Sequence, residues 1–144
     1  MRARTVEILL VEDNPGDARL AIEALKDAHV LNSIHHVIDG AEALAFLKHQ
    51  PPYRDSPKID VVLLDLNLPK VSGKEVLAIM RADPTLKKLP VIALTTSALP
   101  SDIDFCYEHG ANAYMTKPVE FDQFYKALKS FECFWLSVVA LPND

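Results

Sequence analysis

The stretch IDVVLLDLNLPK, from Ile59 to Lys70, decides the fold. Its centre, Val61 to Leu64, is a continuous apolar run, which is the pattern of a strand covered on both faces in a parallel sheet. Asp65 ends this run with a carboxylate. Open parallel sheets bind ligands beyond the carboxyl ends of their strands, so an acid here favours a functional role. A simple turn is the alternative, because Asp is a common turn residue.

Further apolar runs and helical segments alternate on both sides of this strand. Strands are predicted at 6–11, 32–38, 90–94 and 112–116, and helices begin near 15, 41, 72, 100 and 120. Asn14 and Ser72 are the predicted N-caps of two of these helices. The inner face of the helix after Ser72 is predicted to consist of Val76, Leu77, Ile79 and Met80. A βα unit repeated five times predicts an α/β doubly wound parallel sheet with helices on both faces. The order of the strands is not visible in the pattern.

Composition narrows the class of protein. The chain has 144 residues, of which 49% are hydrophobic and 24% charged, so we expect one soluble globular domain, spanning 1–144. A formal net charge of −5 argues against broad nucleic-acid binding. The sequence has neither a signal peptide nor an apolar run long enough to enter a membrane. Two distant cysteines then suggest free thiols in a reducing cytoplasm.

Complementary polar residues follow the predicted strands. Asp13, Asp65, Thr95 and Lys117 each lie at a carboxyl end, and these ends share one edge of a parallel sheet. With Glu12, the set brings three carboxylates together, which suits Mg²⁺. Lys117 and Thr95 supply donors for a phosphoryl group. The set favours phosphoryl transfer with Asp65 as acceptor, while a purely structural ion pair with Lys117 is the alternative.

These motifs resemble the receiver domain of two-component response regulators. The matching pieces are VEDN (11–14), LLDLNLP (63–69), VIALTTS (91–97) and YMTKP (114–118). The resemblance implies a flavodoxin-like (βα)5 fold with strand order 2-1-3-4-5 and a cis peptide bond before Pro118. It also implies transfer of a phosphoryl group from a kinase phosphohistidine to Asp65. Mg²⁺ would be held by Asp13, Asp65 and the backbone carbonyl of Asn67, with Glu12 acting mainly through water.

A finer resemblance concerns the small regulators that serve bacterial phytochrome kinases. It rests on VEDNPGDARL (11–20), LLDLNLPKVSGKEVL (63–77), LTTS (94–97) and FECFWLSVVALP (131–142). It implies a stand-alone regulator without an output domain, whose partner is a phytochrome-type sensor histidine kinase. The expected activity is Mg²⁺-dependent self-phosphorylation and autodephosphorylation at Asp65.

The resemblance also implies a switch. Thr95 and Tyr114 match the family's coupled hydroxyl and aromatic pair, so a phosphoryl group on Asp65 would attract the Thr95 hydroxyl and let Tyr114 turn inward. A half-buried strand aromatic is the alternative role for Tyr114.

The C-terminal segment is rich in aromatic residues. It carries more apolar side chains than one stripe against a sheet requires, which favours an interface over core packing alone. We expect a homodimer through the fourth helix, the fifth strand and the final helix. The residues proposed for this interface are Phe121, Tyr125, Phe131, Phe134 and Trp135.

Two rival functions remain open from the sequence. The first is a Mg²⁺-dependent phosphatase with an aspartyl-phosphate intermediate, since Asp65-Leu66-Asn67 faintly resembles a DxD motif. In such enzymes a second Asp acts as general acid, and Asn67 cannot donate a proton in that way. The second rival is an adaptor that never takes phosphate. The presence of Asp13, Asp65, Thr95 and Lys117 argues against it.

Overall fold

The computed structural model of the protein describes residues 5–26 and 32–117, together with Asp122 and Lys126. Within these residues, five strands alternate with four helices. In chain order they are β1 (Val6–Val11), α1 (Pro15–Lys26), β2 (Asn32–Val37), α2 (Gly40–Leu47), β3 (Val61–Leu64), α3 (Gly73–Ala82), β4 (Val91–Thr95), α4 (Pro100–Glu108) and β5 (Ala113–Thr116). The predicted strands are confirmed to within one residue at each end. The predicted final helix lies outside the described residues, except for Asp122 and Lys126, as do all five proposed interface residues and the peptide bond before Pro118.

The five strands form one parallel sheet with the order β2-β1-β3-β4-β5. β3 lies at the centre, where Leu64 is in register with Val11 of β1 and Ala93 of β4. Every residue of β3 is buried, as expected for a strand covered on both faces. The order implied by the resemblance is confirmed, and it places the carboxyl ends of β1 and β3 side by side.

Alternate residues of the central strands pack into two separate cores. Leu9 of β1 and Leu64 of β3 face one core, which is completed by the apolar faces of α2 and α3 and by Cys106 of α4. Leu10 and Leu63 face the other core, which α1 covers. Successive side chains of a strand point to opposite faces, so a strand between two cores must be apolar throughout. This requirement explains the uninterrupted run in β3.

Polar residues fix where the helices begin. The side chain of Asn14 accepts the amide N–H of Asp17 at 3.0 Å, and that of Ser72 accepts the amide N–H of Glu75 at 3.3 Å. Both predicted N-caps are therefore confirmed. Asp39 caps α2 in the same way by accepting the Glu42 N–H at 2.7 Å. Among the described residues, the structure contains no helix that is both long and apolar enough to cross a membrane.

One prediction about α3 is wrong. Ile79 was expected on the inner face, but 38% of its surface is exposed. Val76, Leu77 and Met80 form the buried stripe instead. An α-helix has 3.6 residues per turn, so successive side chains are 100° apart and Ile79 lies to one side of this stripe. Only one narrow face of the helix meets the sheet.

Gly73 lets α3 begin directly against the end of β3. A Cβ atom at this position would lie 2.5 Å from the Cα atom of Leu66, and closer still to the carbonyl oxygen of Asp65. The Gly73 amide also donates to the Leu66 carbonyl at 2.9 Å. The absence of a side chain at Gly73 therefore allows the segment after Asp65 to lie in close contact with the start of α3.

Candidate functional site

The carboxyl edge of the sheet gathers the predicted acids into one cluster. Glu12 and Asp13 follow β1, and Asp65 follows β3. Each of the three offers a carboxylate oxygen, and these oxygens all lie within 4.8 Å of one another. Glu12 and Asp65 are buried, whereas Asp13 is exposed. The predicted convergence of the three acids is confirmed.

Backbone hydrogen bonds that continue the sheet beyond its strands hold these residues in place. The Asp65 amide donates to the Val11 carbonyl at 3.1 Å, and the Glu12 amide donates to the Val37 carbonyl at 3.1 Å. The Lys117 amide donates to the carbonyl of Thr95 at 2.6 Å. The side chains thus leave from ordered backbone at the end of each strand, which fixes their directions.

Lys117 reaches from the end of β5 into the acidic cluster. Its Nζ donates to Glu12, to Asp17 Oδ2 at 3.0 Å and to Asp65 Oδ2 at 3.1 Å. Only 4% of the Lys117 side chain is exposed. An ammonium group has three N–H donors, so three carboxylates use all of them. Such a contact is expected both for a phosphoryl-transfer site and for a purely structural ion pair.

The buried charges shift the pKa values of the cluster. Burial raises the pKa of Glu12 to about 7, the hydrogen bond from Lys117 opposes this rise, and the neighbouring Asp65 adds to it. Burial on its own lowers the pKa of Lys117, but the hydrogen bond to Glu12 and the charges of Asp65 and Glu12 outweigh it, so the pKa rises. Lys117 therefore stays protonated at neutral pH, and its single charge does not fully compensate the acids.

The donor set suits a divalent cation. Carboxylate oxygens are the hard ligands that Mg²⁺ and Mn²⁺ accept in proteins, and the cluster is open to solvent at Asp13. The Asn67 amide donates to Asp65 Oδ1 at 3.1 Å, which orients this carboxylate. The Asn67 segment thus lies next to the acids, where its backbone carbonyl was predicted to serve as a ligand.

Thr95 and Tyr114 are connected through the loop after β4. Thr95 is fully buried, and its Oγ1 accepts the Ser97 amide at 3.4 Å. The hydroxyl of the half-buried Tyr114 donates to the carbonyl of Ser97 at 2.7 Å. The Ser97 hydroxyl in turn donates to Asp102 Oδ2 at 2.5 Å, and Asp102 pairs with Lys74 of α3. Ser97, a residue of this loop, therefore connects Thr95, Tyr114 and Asp102.

Two residues at the site were not predicted from the sequence. Asp17 contacts Lys117 from the first turn of α1. His36 Nε2 lies 2.7 Å from the Glu12 carbonyl oxygen, and this nitrogen donates because a carbonyl can only accept. An acid in the first helical turn is common for reasons of the helix dipole, so Asp17 gave no separate signal. The position of β2 next to β1 was needed to bring His36 to Glu12.

This sheet order and this acidic site define a class of protein. The family model for the response regulator receiver domain matches residues 8–129, and the chain belongs to that family. The response regulator Rcp1 of Synechocystis sp. is 44% identical over 135 residues, which cover 94% of this chain and 92% of Rcp1.

Solved structures agree with this assignment. The Mn²⁺-bound form of Rcp1 matches with a TM-score of 0.93 and 43% identity, covering 96% of this chain and 99% of that one. The phosphorylated cyanobacterial phytochrome response regulator RcpA matches with a TM-score of 0.94 and 44% identity, covering 97% and 100%. The resemblance to receiver domains, and among them to phytochrome response regulators, is confirmed.

Proposed function

We propose that this chain is a signalling protein that accepts a phosphoryl group on Asp65 from a sensor histidine kinase of the phytochrome type. The observation that carries the proposal is the contact of the buried Lys117 with Asp65 beside the carboxylate cluster. Phosphoryl transfer depends mostly on positioning and charge neutralisation, which this arrangement provides. The existence of a phosphorylated form of the phytochrome regulator RcpA supports both the acceptor role and the type of kinase.

The proposed reaction is an in-line displacement. An Asp65 carboxylate oxygen forms a P–O bond while the P–N bond of the phosphohistidine breaks. The electron pair stays on the imidazole nitrogen, which takes up a proton. Lys117 and Thr95 act as donors to the phosphoryl oxygens. The 3.1 Å distance from Lys117 Nζ to Asp65 Oδ2 supports this role, since a phosphoryl group on Asp65 would lie within reach of the ammonium group.

We assign the metal site to Asp13, Asp65 and the backbone carbonyl of Asn67, with Glu12 acting mainly through water. When bound there, Mg²⁺ supplies positive charge to the carboxylates and the phosphoryl oxygens. The three-carboxylate cluster and the Mn²⁺-bound form of the relative Rcp1 support a divalent cation, and Mg²⁺ is our specific proposal.

The proposed switch starts at Thr95. In the structure the Thr95 hydroxyl oxygen accepts the Ser97 amide at 3.4 Å. A phosphoryl group on Asp65 attracts this hydroxyl. Movement of Thr95 then loosens the Ser97 segment, to which the Tyr114 hydroxyl is bonded at 2.7 Å, and Tyr114 turns inward. The result is a population shift between two arrangements of the β4–α4 loop. The shared bonding partner of Thr95 and Tyr114 supports this coupling.

The remaining parts of the proposal concern the setting of the protein. We propose a single receiver domain that works in the cytoplasm without binding nucleic acid or membrane. We also propose that it forms a homodimer through α4, β5 and the final helix. Two large apolar side chains, Leu99 before α4 and Tyr107 within it, are 61% and 52% exposed, which supports an interface on this side.

Labelling with acetyl phosphate, with and without Mg²⁺, tests the function. We expect stable one-to-one labelling that requires Mg²⁺ and is lost in Asp65→Asn. Asp60→Asn is the matched control, because Asp60 is also buried but lies at the opposite end of β3, where it accepts the Glu7 amide. Continuous turnover would instead indicate a phosphatase. Absence of label would indicate an adaptor, and labelling of Asp65→Asn at the wild-type rate would refute the site assignment.

A further inference from the structure

Asp17 makes a contact that its place in α1 does not require. It lies in the first turn of the helix, and its Oδ2 accepts a hydrogen bond from Lys117 Nζ at 3.0 Å. We propose that Asp17 competes with the phosphoryl group for Lys117 and so sets how tightly the phosphoryl group is held. This inference rests on the proposed function, since it assumes a phosphoryl group on Asp65.

The ordinary role of an acid at this position is to stabilise the start of the helix. In a capping box, the acid three residues after the N-cap accepts the backbone N–H of the N-cap residue. Here the N-cap is Asn14, and its N–H donates to Glu12 Oε2 at 3.1 Å instead. The Asn14 side chain meanwhile caps the amide of Asp17. The amides of Asn14 and Asp17 therefore have acceptors without the Asp17 carboxylate. That carboxylate contacts Lys117 instead.

The three acceptors around Lys117 are not equivalent. The side chains of Glu12 and Asp65 are 2% and 8% exposed, whereas that of Asp17 is 33% exposed. Water can solvate Asp17 when it releases Lys117, but it cannot do so readily for Glu12. Because the ammonium group has only three N–H donors, phosphoryl oxygens compete with its present acceptors. Of the two acceptors that do not themselves carry the phosphoryl group, Asp17 leaves at the lower cost.

The charge of Asp17 acts in the same direction as its hydrogen bond. While it faces Lys117 it neutralises part of the positive charge that a phosphoryl group would use, and it repels the phosphoryl oxygens directly. Asparagine in its place keeps the shape and a carbonyl acceptor but removes the charge. A partly exposed ion pair of this kind corresponds to about a two- to fivefold change in an equilibrium constant.

Binding of beryllofluoride, which mimics a phosphoryl group on a carboxylate, tests the proposal at saturating Mg²⁺. We expect Asp17→Asn to bind beryllofluoride about two- to fivefold more tightly than wild type. The affinity for Mg²⁺ alone should not rise, because Asp17 is outside the three-carboxylate cluster and its charge attracts cations. Asp17→Ser also lacks the charge, so it should likewise bind beryllofluoride more tightly than wild type without binding Mg²⁺ more tightly.

Glu75→Gln is the matched control. Glu75 holds the equivalent first-turn position in α3, where its carboxylate meets only the Ser72 cap among the side-chain partners that the structure gives it. We expect this variant to leave beryllofluoride binding unchanged. If Asp17 only stabilises its helix, Asp17→Asn will lower the melting temperature and leave beryllofluoride affinity at the wild-type value or below, which overturns the proposal. Wild-type protein that neither binds beryllofluoride nor labels with acetyl phosphate would overturn the proposed function and this inference together.

Discussion

Replacement of Lys117 by methionine tests how the acidic cluster is neutralised. The Lys117 ammonium contacts three carboxylates, two of them buried, and the side chain is 4% exposed. Methionine keeps most of the side-chain volume, so the effect is mainly electrostatic. Removing one partner of a buried ion pair costs about 3–5 kcal/mol, because the remaining charge is left without compensation. We expect Lys117→Met to lower the free energy of unfolding by about this amount when divalent cations are absent.

Mg²⁺ should recover part of this loss. Removing a positive charge near the cluster favours the binding of a cation, so the variant should bind Mg²⁺ at least as tightly as wild type. A ligand at one hundred times its dissociation constant stabilises the folded state by about 2.7 kcal/mol. The variant with saturating Mg²⁺ should therefore approach the stability that wild type has without divalent cations. Its phosphoryl group still lacks the Lys117 contact, so we expect it to lose most of its signalling output.

Urea denaturation at pH 8, with EDTA or with a series of Mg²⁺ concentrations, measures both effects. Burial raises the pKa of Glu12 to about 7 even beside Lys117, which lowers it, so removal of Lys117 raises this pKa further. A pH above 7 limits the protonation of Glu12 that would otherwise relieve the loss. Lys74→Met is the control, because it removes a lysine that pairs with Asp102 and is 38% exposed. Exposed pairs contribute about 0.2–1 kcal/mol. A loss in Lys117→Met no larger than in this control, or weaker stabilisation by Mg²⁺ than in wild type, would refute the reasoning.

Two further predictions concern the backbone near Asp65 and the assembly. Gly73→Ala should lower stability by about 1–3 kcal/mol and slow labelling of Asp65, since its Cβ would press on the backbone of Asp65 and the following residue. Gly16→Ala, whose Cβ would meet only a side-chain oxygen at 3.3 Å, should leave labelling unchanged, and equal behaviour of the two variants in a labelling time course would contradict this account. Sedimentation at micromolar concentration should show a wild-type dimer and a monomeric Phe131→Ala/Trp135→Ala variant. A wild-type protein that is monomeric with and without phosphate would exclude the dimer.

The sequence predicted those parts of the site that follow from the strands. A strand buried on both faces is apolar throughout, so the change to a carboxylate at Asp65 marks its end clearly. The same rule placed Glu12, Asp13, Thr95 and Lys117 at one edge, because parallel strands share their carboxyl ends. The order of the strands came only from the resemblance. Hydrophobic periodicity identifies each strand but carries no information about its neighbours.

The parts that were missed depend on contacts between elements that the pattern does not order. Asp17 is an ordinary first-turn acid until the end of β5 brings Lys117 to it. The connection from Thr95 through Ser97 to Asp102 depends on the course of the β4–α4 loop. Ile79 was misplaced for a simpler reason: its apolar side chain has the right type for a core, but its angle around α3 turns it away from the sheet.

The charge balance of the site explains why a cation and a phosphoryl group depend on each other. Glu12, Asp17 and Asp65 contact the ammonium group of Lys117, and Asp13 adds a fourth carboxylate beside Glu12 and Asp65. A phosphoryl group on Asp65 carries about −1.5 to −2 charges and replaces the single charge of the carboxylate, so the site becomes more negative, and Lys117 alone does not compensate it. Burial raises the pKa of Glu12 to about 7, Lys117 opposes this rise, and the neighbouring Asp65 adds to it. A divalent cation removes most of the excess negative charge. The residues of this chain therefore predict, independently of its relatives, that labelling requires a divalent cation.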